Sequence, residues 1–370
     1  MRLEDICKVF ADGDWIESKD QSENGIRLVQ TGNIGEGKYL EKAERAKYIS
    51  EDTFRDLKCT EIYPGDILVS RLPEPVGRAC IIPEKQERMI TAVDCTICRP
   101  DESLISKEYL CYFMQSKAYY NRLLNSVTGT TRKRISRKNL GSVELEIPDR
   151  DVQNEIVKKF DSLSRIIDYR KGQLNKLDDL IKARFVELFD NGNYPKIRLG
   201  DACKKITDGT HKTPNYIDEG ITFISAKNIV NGELDFSDVK HISEEEYQEI
   251  QKRCQTEKND ILLSKSGSLG TPVIVRTEEK IGLFESLAVL KYERDRFLPE
   301  FLCEQLKTDM IQRQFATGTK GVAIKHLHLG VIADTEIIEP PVKEQKTFAD
   351  FVKQVDKSKF GCITARGVYV

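Results

Sequence analysis

VQNEIVKKFDSLSRIIDYRKGQLNKLDDLIKARFVELFD, residues 152–190, is the stretch from which the architecture of this chain can be read. From Ile156 the apolar positions step by four and three through Phe160, Leu163 and Ile167, and resume at Leu174, Leu177, Ile181 and Leu188. Arg170 and Arg184 interrupt the register, and their aliphatic stems can cover an apolar seam. A heptad rhythm held for about five repeats is that of a coiled-coil helix. The alternative is an ordinary core helix, against which the length and the strict register argue. No proline breaks Val152–Asp190, and Asn191-Gly192 supplies a stop. Such a helix would be roughly 58 Å long at about 1.5 Å per residue. Its seam demands a partner, which makes the eight seam residues from Ile156 to Leu188 the candidate subunit-docking contacts.

Outward from this helix the chain repeats itself at an offset near 192 to 196 residues, shortened to 189 at Thr128-Gly129-Thr130. Arg2-Leu3 recurs as Arg198-Leu199, and Asp12-Gly13 as Asp208-Gly209. Gly25-Ile26 followed by Asn33-Ile34 recurs as Gly220-Ile221 followed by Asn228-Ile229, and Lys47–Ser50 as Lys240–Ser243. Gly65-Asp66-Ile67-Leu68-Val69-Ser70-Arg71 matches Asn259-Asp260-Ile261-Leu262-Leu263-Ser264-Lys265. Lys107–Cys111 matches Pro299–Cys303, Thr128-Gly129-Thr130 matches Thr317-Gly318-Thr319, and Pro148 with Gln153 matches Pro340 with Gln345. Landmarks kept in one order over so long a period mean two copies of a whole domain, not a solenoid. Each copy is expected to be an α/β (α+β) domain rich in loops. Short strands fall at Ile26–Val29 and Ile67–Val69 and at their counterparts, and single helices at Lys107–Leu124 and Pro299–Phe315.

The reading divides the chain into a domain at 1–150, the spacer helix at 151–192, a second domain at 193–343, a second, shortened helix at 344–360 and a divergent tail at 361–370. Phe348, Val352 and Val355 stand in the second helix where Ile156, Phe160 and Leu163 stand in the first. From Gly361 the tail GCITARGVYV departs from the first copy.

Composition suits a soluble globular protein: 39% hydrophobic, 32% charged, with no run near the roughly 18 apolar residues of a membrane helix. The opening MRLEDICKVF places an acidic pair where a signal peptide has its apolar core, so a cytoplasmic protein is expected. Ten scattered cysteines suit a reducing compartment. Cys95 and Cys98 form a lone CxxC, and a zinc site needs about four ligands, so no metal is expected. The bland alternative is a strand with Cys95 and Ile97 on one face and Thr96 and Cys98 on the other. A net charge of −2 does not announce a nucleic-acid binder, so any such affinity must arise from local clusters. One stands out: Arg132, Lys133 and Arg134 with Arg137 and Lys138, where a solvated basic turn is the competing reading.

Thr207-Asp208-Gly209-Thr210-His211-Lys212-Thr213-Pro214 looks like the DGTHxTP turn, and Gly65–Arg71 like the GDIL(L/V)SR strand, of one known family. Asp12-Gly13-Asp14-Trp15-Ile16 resembles a variant of the same turn. Gly129-Thr130 with Ile135 and Leu140, and Gly318-Thr319 with Ile324 and Leu329, are similar to its GTxxxxIxxxxL pattern. Together with the two Pro-x4-Gln helix starts, over residues 1 to 359, the chain resembles the DNA-recognition (specificity) subunit of type I restriction-modification systems. The resemblance implies that each domain reads half of a bipartite double-stranded DNA target. It also implies antiparallel helices that space the halves and dock two methyltransferase subunits. S-adenosylmethionine belongs to those subunits, and ATP and Mg to restriction/translocase partners; this chain needs no cofactor of its own and no membrane. With the helices antiparallel, Gln345–Lys359 should cover Leu174, Leu177, Ile181 and Leu188, and should leave Ile156, Phe160, Leu163 and Ile167 exposed.

No catalytic residue is expected. The chain has no Asn/Asp-Pro-Pro-Tyr/Phe tetrapeptide and no GxxxxGK[ST] loop, and Glu17-Ser18-Lys19 and Glu278-Glu279-Lys280 lack the upstream Pro-Asp of a nuclease. Candidate base readers are Ser70, Arg71 and Arg78 in the first copy and Ser264, Lys265 and Ser266 in the second, with plain β-turns as the alternative. Asn33 and Asn228 could read adenine, with Lys227 beside the latter. Thr210, His211 and Lys212 stand in the second copy's turn, where His211 is a turn residue or a DNA contact. Lys320 and Lys325, helped by His326 and His328, give that copy a weaker phosphate grip. Rival readings are a silent donor of recognition domains, half of a fused restriction-modification enzyme, and a coiled-coil scaffold that binds only protein.

Overall fold

The computed structural model describes residues 1–124, 126–129, 133–190, 192–318 and 326–364, with side chains to residue 359. The chain forms two compact units, Met1–Asp168 and Tyr169–Val370. In the first, strands β1 (Cys7–Asp12), β2 (Ile26–Val29), β3 (Tyr48–Ile49), β4 (Glu61–Ile62), β5 (Ile67–Ser70), β6 (Ala79–Ile81), β7 (Met89–Thr91) and β8 (Cys95–Pro100) make two four-stranded sheets, ordered β1-β8-β5-β6 and β3-β2-β7-β4. Helices α1 (Glu51–Asp56), α2 (Lys107–Phe113), α3 (Lys117–Leu124) and α4 (Arg137–Gly141) accompany them.

The sheet containing β5 is covered on both faces. Ile67, Val69 and Cys98 pack against Leu110, Tyr119 and Leu140 of the helices. On the other face Leu68, Cys80, Cys95 and Ile97 pack against Val29, Ile62 and Met89 of the second sheet. Two covered faces explain why Ile67-Leu68-Val69 is a continuous apolar run instead of an alternating one. Period 2 also sends Cys95 and Cys98 to opposite faces.

The second unit repeats this plan. Strands β9 (Lys196–Arg198), β10 (Cys203–Asp208), β11 (Ile221–Ile224), β12 (Ile229–Val230), β13 (Glu233–Leu234), β14 (Lys240–Ile242), β15 (Ile261–Ser264), β16 (Pro272–Ile274), β17 (Ile281–Leu283), β18 (Leu287–Tyr292) and β19 (Glu336–Ile338) include a sheet ordered β10-β18-β15-β16. That is the order of the first unit, element for element. The registers of β1 on β8 and of β10 on β18 even break at the same place, Cys7/Val9 and Cys203/Lys205. Asp66 and Asp260 repeat a role as well. Asp66 accepts the Tyr63 N–H at 2.9 Å and pairs with Arg99 at 2.7 Å; Asp260 accepts the Glu257 N–H at 2.7 Å and pairs with Lys291 at 2.6 Å. Asn259 takes the place of Gly65 because both residues sit at positive φ, 72° and 91°, where asparagine is among the few tolerated side chains.

Two expected helices are each broken in two. Lys107–Leu124 splits into α2 and α3, and Pro299–Phe315 becomes α7 (Pro299–Leu306) and α8 (Asp309–Gly318). The reason is local: Ser116 accepts the Tyr119 N–H at 3.1 Å and so starts a new helix, while the Thr308 hydroxyl donates to Gln305 O at 2.7 Å across the second break. Helices α6 (Glu244–Arg253) and α9 (Leu329–Asp334) complete this unit's short helices.

The long helix α5 runs unbroken from Arg150 to Phe189, and the last helix, α10, from Val342 to Thr364. Each starts with the same latch. Gln153 accepts the Ser106 N–H at 2.9 Å and donates to Leu104 O (3.1 Å) and Pro148 O (2.9 Å). Gln345 accepts the Leu298 N–H at 3.0 Å and donates to Arg296 O and Pro340 O, both at 2.8 Å. The Pro-x4-Gln spacing thus welds each helix to the domain before it with one buried amide. Gln153→Leu should cost the first unit about 3 kcal/mol, since each buried group left unpaired costs roughly 1–3 kcal/mol. Urea denaturation of the full chain measures this, and a loss under about 1 kcal/mol would refute the latch.

Within the second unit, α10 packs antiparallel on the end of α5: Phe348 meets Phe185 and Phe189, and Lys359 pairs with Asp178 at 2.8 Å. Ile181 is buried there, with Leu177 and Leu188 at the margin of the same core. Leu174 is only half-buried and is not part of that core, so the expected coverage is corrected. The deepest stripe is Ile181, Phe185 and Phe189, because a straight helix drifts about 20° per heptad away from a strict seven-residue register. In the first unit Ile156 is half-buried, whereas Phe160, Leu163 and Ile167 are exposed, as is Ile166. No helix among the described residues is long and apolar enough to cross a membrane.

Candidate nucleic-acid interface

Antiparallel pairing brings Asp12, Ser70, Ala79 and Cys95 to one end of the first unit's sheet, so the loops at 13–17, 71–78 and 92–94 leave together. In the second unit Asp208, Ser264, Pro272 and Leu287 define the same end. The last turn joins each group through one backbone bond, Ile135 N–H to Arg71 O at 3.1 Å and Leu327 N–H to Lys265 O at 2.9 Å.

The Asp-Gly turn is locked identically in both copies. Gly13 and Gly209 donate to Cys95 O (2.9 Å) and Leu287 O (3.3 Å), and Asp14 and Thr210 donate to Thr91 O (2.8 Å) and Leu283 O (2.9 Å). Their carbonyls accept from Val93 (2.9 Å) and Glu285 (3.0 Å). Glycine is required for space: a Cβ on Gly13 would lie 2.3 Å from Thr91 O, and one on Gly209 2.1 Å from Leu283 O.

The residues expected to read bases are built into this scaffold instead. Lys265 is 3% exposed and its ammonium sits on the buried Asp208 carboxylate, which also pairs with Arg253. Burial opposes ionisation of Asp208, but Lys265 and Arg253 outweigh it and hold the carboxyl below its ordinary range. Arg71 donates to Val93 O at 2.6 Å and lies 3.4 Å from Asp12, in the place Lys265 holds beside Asp208. Arg78 spends its guanidinium on Ile34 O (2.7 Å), Pro73 O (2.7 Å), Pro75 O (3.2 Å) and Thr31 O (2.9 Å). The Ser70 hydroxyl donates to Leu72 O at 2.6 Å, and that of Ser264 donates to Ser268 O. Asn33 and Asn228 are buried and close their own turns. Each accepts a backbone N–H, from Gln30 at 3.0 Å and Ser225 at 3.1 Å, and donates to Leu40 O (3.0 Å) and Asp238 O (3.0 Å). None of these seven side chains is presented to a base, because carbonyls and N–H groups of their own turns, and for Lys265 the Asp208 carboxylate, are nearer partners.

Other candidates are exposed. Lys133 pairs with Glu74 at 2.7 Å, and Arg137 lies 3.8 Å from Asp12; Arg134 and Lys138 are also at the surface. In the second unit Lys212 is exposed, and Lys227 pairs with Asp238 at 3.1 Å. The Thr210 hydroxyl accepts the Lys212 N–H at 3.1 Å. Ser225, Lys227, Ser266, Ser268 and Ser286 line an open groove of about 510 Å³, whose hydroxyls and cation suit a phosphate or a base edge. Burial and the charge of Lys265 hold His326 below its usual pKa, and its ring lies 5.5 Å from that of His328. Arg132, Lys320 and Lys325 lie outside the described residues.

Sequence reasoning missed Arg253 and Glu285. The imidazole of His211 lies 3.3 Å from Asp208, 3.3 Å from Arg253 and 2.8 Å from Glu285. Arg253 is the last residue of α6, and nothing in its local sequence marks it. Trp15, the chain's one tryptophan, follows the Asp-Gly turn and is 70% exposed.

The sequence profile of the family described as type I restriction modification DNA specificity domain matches residues 1–179 and again 191–366. The chain is 24% identical over 279 residues to the type I restriction enzyme EcoBI specificity subunit of Escherichia coli, covering 66% of this chain and 58% of that protein. It is 22% identical over 377 residues to the EcoKI specificity subunit of Escherichia coli strain K12, covering 92% and 77%. Among solved structures, the type I restriction-modification S subunit of M. genitalium aligns with 14% identity and a TM-score of 0.47 over 99% of this chain and 91% of its own.

Proposed function

Because this chain belongs to the type I restriction-modification DNA specificity family, matched along both of its halves, we propose that it recognises a split double-stranded DNA target, one half by each domain. One observation carries the reading: two copies of a domain hold the same turns with the same backbone bonds yet present different exposed side chains. A fixed scaffold with unlike tips is what two unlike half-targets require. The exposed cations Lys133, Arg134, Arg137 and Lys138 would neutralise phosphates, and the serine-lined groove of the second unit would meet its half-target.

The unbroken α5 supports a spacing role, and the exposed Phe160, Leu163, Ile166 and Ile167 support docking of a methyltransferase subunit. Methyl transfer and DNA translocation would be the work of methyltransferase and restriction subunits, which bring S-adenosylmethionine, ATP and magnesium.

Spacing gives the test. Removing Tyr169–Asn175, one heptad, shortens α5 by about 10 Å and turns its far end by only about 20°. Selection from a pool of randomised duplexes should return the same two half-targets, with their gap changed by about three base pairs. Unchanged spacing would reject α5 as the ruler, and enrichment of no split target by the unaltered chain would reject the DNA-reading function.

A further inference from the structure

Residues 15 and 211 are the first to leave the identically locked Asp-Gly turns. The three matched backbone bonds at Gly13/Gly209, at Asp14/Thr210 and from Val93/Glu285 hold residues 13–14 and 209–210 in the same way, so the next residue stands at the same place in each domain. In one copy the emerging residue is Trp15, in the other His211, and both are exposed. Both are flat rings bearing an N–H. They differ in size and polarity, as positions that read unlike sequences would.

The surroundings of Trp15 direct it toward a ligand. Its own domain leaves the ring open, and the indole N–H donates to Glu17 at 3.2 Å. The flanking carboxylates are already engaged: Asp14 accepts the Thr60 N–H at 2.9 Å, and Glu17 pairs with Lys19 at 3.0 Å. At the same end of the sheet Arg137 approaches Asp12, so the turn stands beside a cation able to meet phosphate. An aromatic face next to phosphate-binding groups suits a base, a sugar or a thymine methyl, against which flat side chains stack or wedge.

We propose that Trp15 is a specificity-determining residue of the first domain, laid against the bases of the first half-target, and that His211 holds the equivalent place in the second. The inference rests on the DNA-reading role proposed above. Because Trp15 is the only tryptophan, its emission reports on this contact alone.

The test uses the full chain, a pool of randomised duplexes, and the variants Trp15→Ala and Trp15→Phe. Trp15→Ala should relax preference at one or two positions of the first half-target by about tenfold and leave the second half-target unchanged. Trp15→Phe should keep most of that preference, because it retains an aromatic face. The emission of the unaltered chain should fall on adding the selected duplex and not on adding one with a scrambled first half-target. If Trp15→Ala selects the same sequences with the same stringency and the emission ignores the selected duplex, this inference fails while DNA reading stands. If Trp15→Ala weakens all duplexes alike, Trp15 is not a reader of sequence and the inference fails again. Should the unaltered chain enrich no sequence, the reading on which it rests has failed first.

Discussion

Asp208→Ala is expected to destabilise the second unit by about 3–5 kcal/mol, the cost of leaving a buried cation without its counter-charge. Lys265 is 3% exposed and projects from the end of β15, where its backbone N–H is bonded to Ser286 O at 2.8 Å and cannot swing the side chain to water. Arg253 and His211 lose the same partner. Hydrogen exchange along β10 and β15 in the full chain measures the effect, and a loss below about 1 kcal/mol would show that Lys265 finds water after all. In the first unit Asp12→Ala should cost only about 1 kcal/mol, since Arg71 keeps its bond to Val93 O and its pair with Asp12 is long, at 3.4 Å.

The same site sets a pH dependence with a definite sign. The carboxyl of Asp208 titrates below its unfolded value, so its contribution is fully present above about pH 4 and is lost as the pH falls through the lower folded value. Wild type and Asp208→Ala should therefore differ most near neutrality and converge in acid. A difference that grows on acidification would contradict the assignment.

Phe348→Ala is expected to cost about 3–5 kcal/mol, the usual price of emptying a buried aromatic site. Phe348 is buried among Phe185, Phe189 and Phe301, with ring centroids between 5.0 and 6.3 Å apart, and this cluster fastens α10 to α5. Phe160 occupies a seam position in the first half of α5, yet it is 48% exposed and stacks on the ring of Tyr112 at 5.1 Å. Phe160→Ala should cost about 1 kcal/mol or less. Thermal unfolding of both variants measures the contrast. Equal losses would mean that the first half of α5 is covered in solution, as it would be in a complex or a dimer.

The sequence alone determined the long helix, the central strands of each copy and that the domain occurs twice. Heptad spacing, runs such as Ile67-Leu68-Val69, and paired landmarks such as Pro148/Gln153 and Pro340/Gln345 are local or one-dimensional signals, and they survive translation into structure because period and burial follow directly from residue order. Tertiary structure alone decided which polar side chains are available to a ligand. Arg71, Arg78, Lys265, Asn33 and Asn228 have the chemistry of base readers, but carbonyls, N–H groups and a buried aspartate closer than any ligand consume it. Those partners come from distant parts of the chain: Ile34 for Arg78, Asp208 for Lys265, and Arg253 for Asp208. A side chain's free hydrogen-bonding capacity is what remains after its neighbours are satisfied, and its neighbours are known only once the chain has folded.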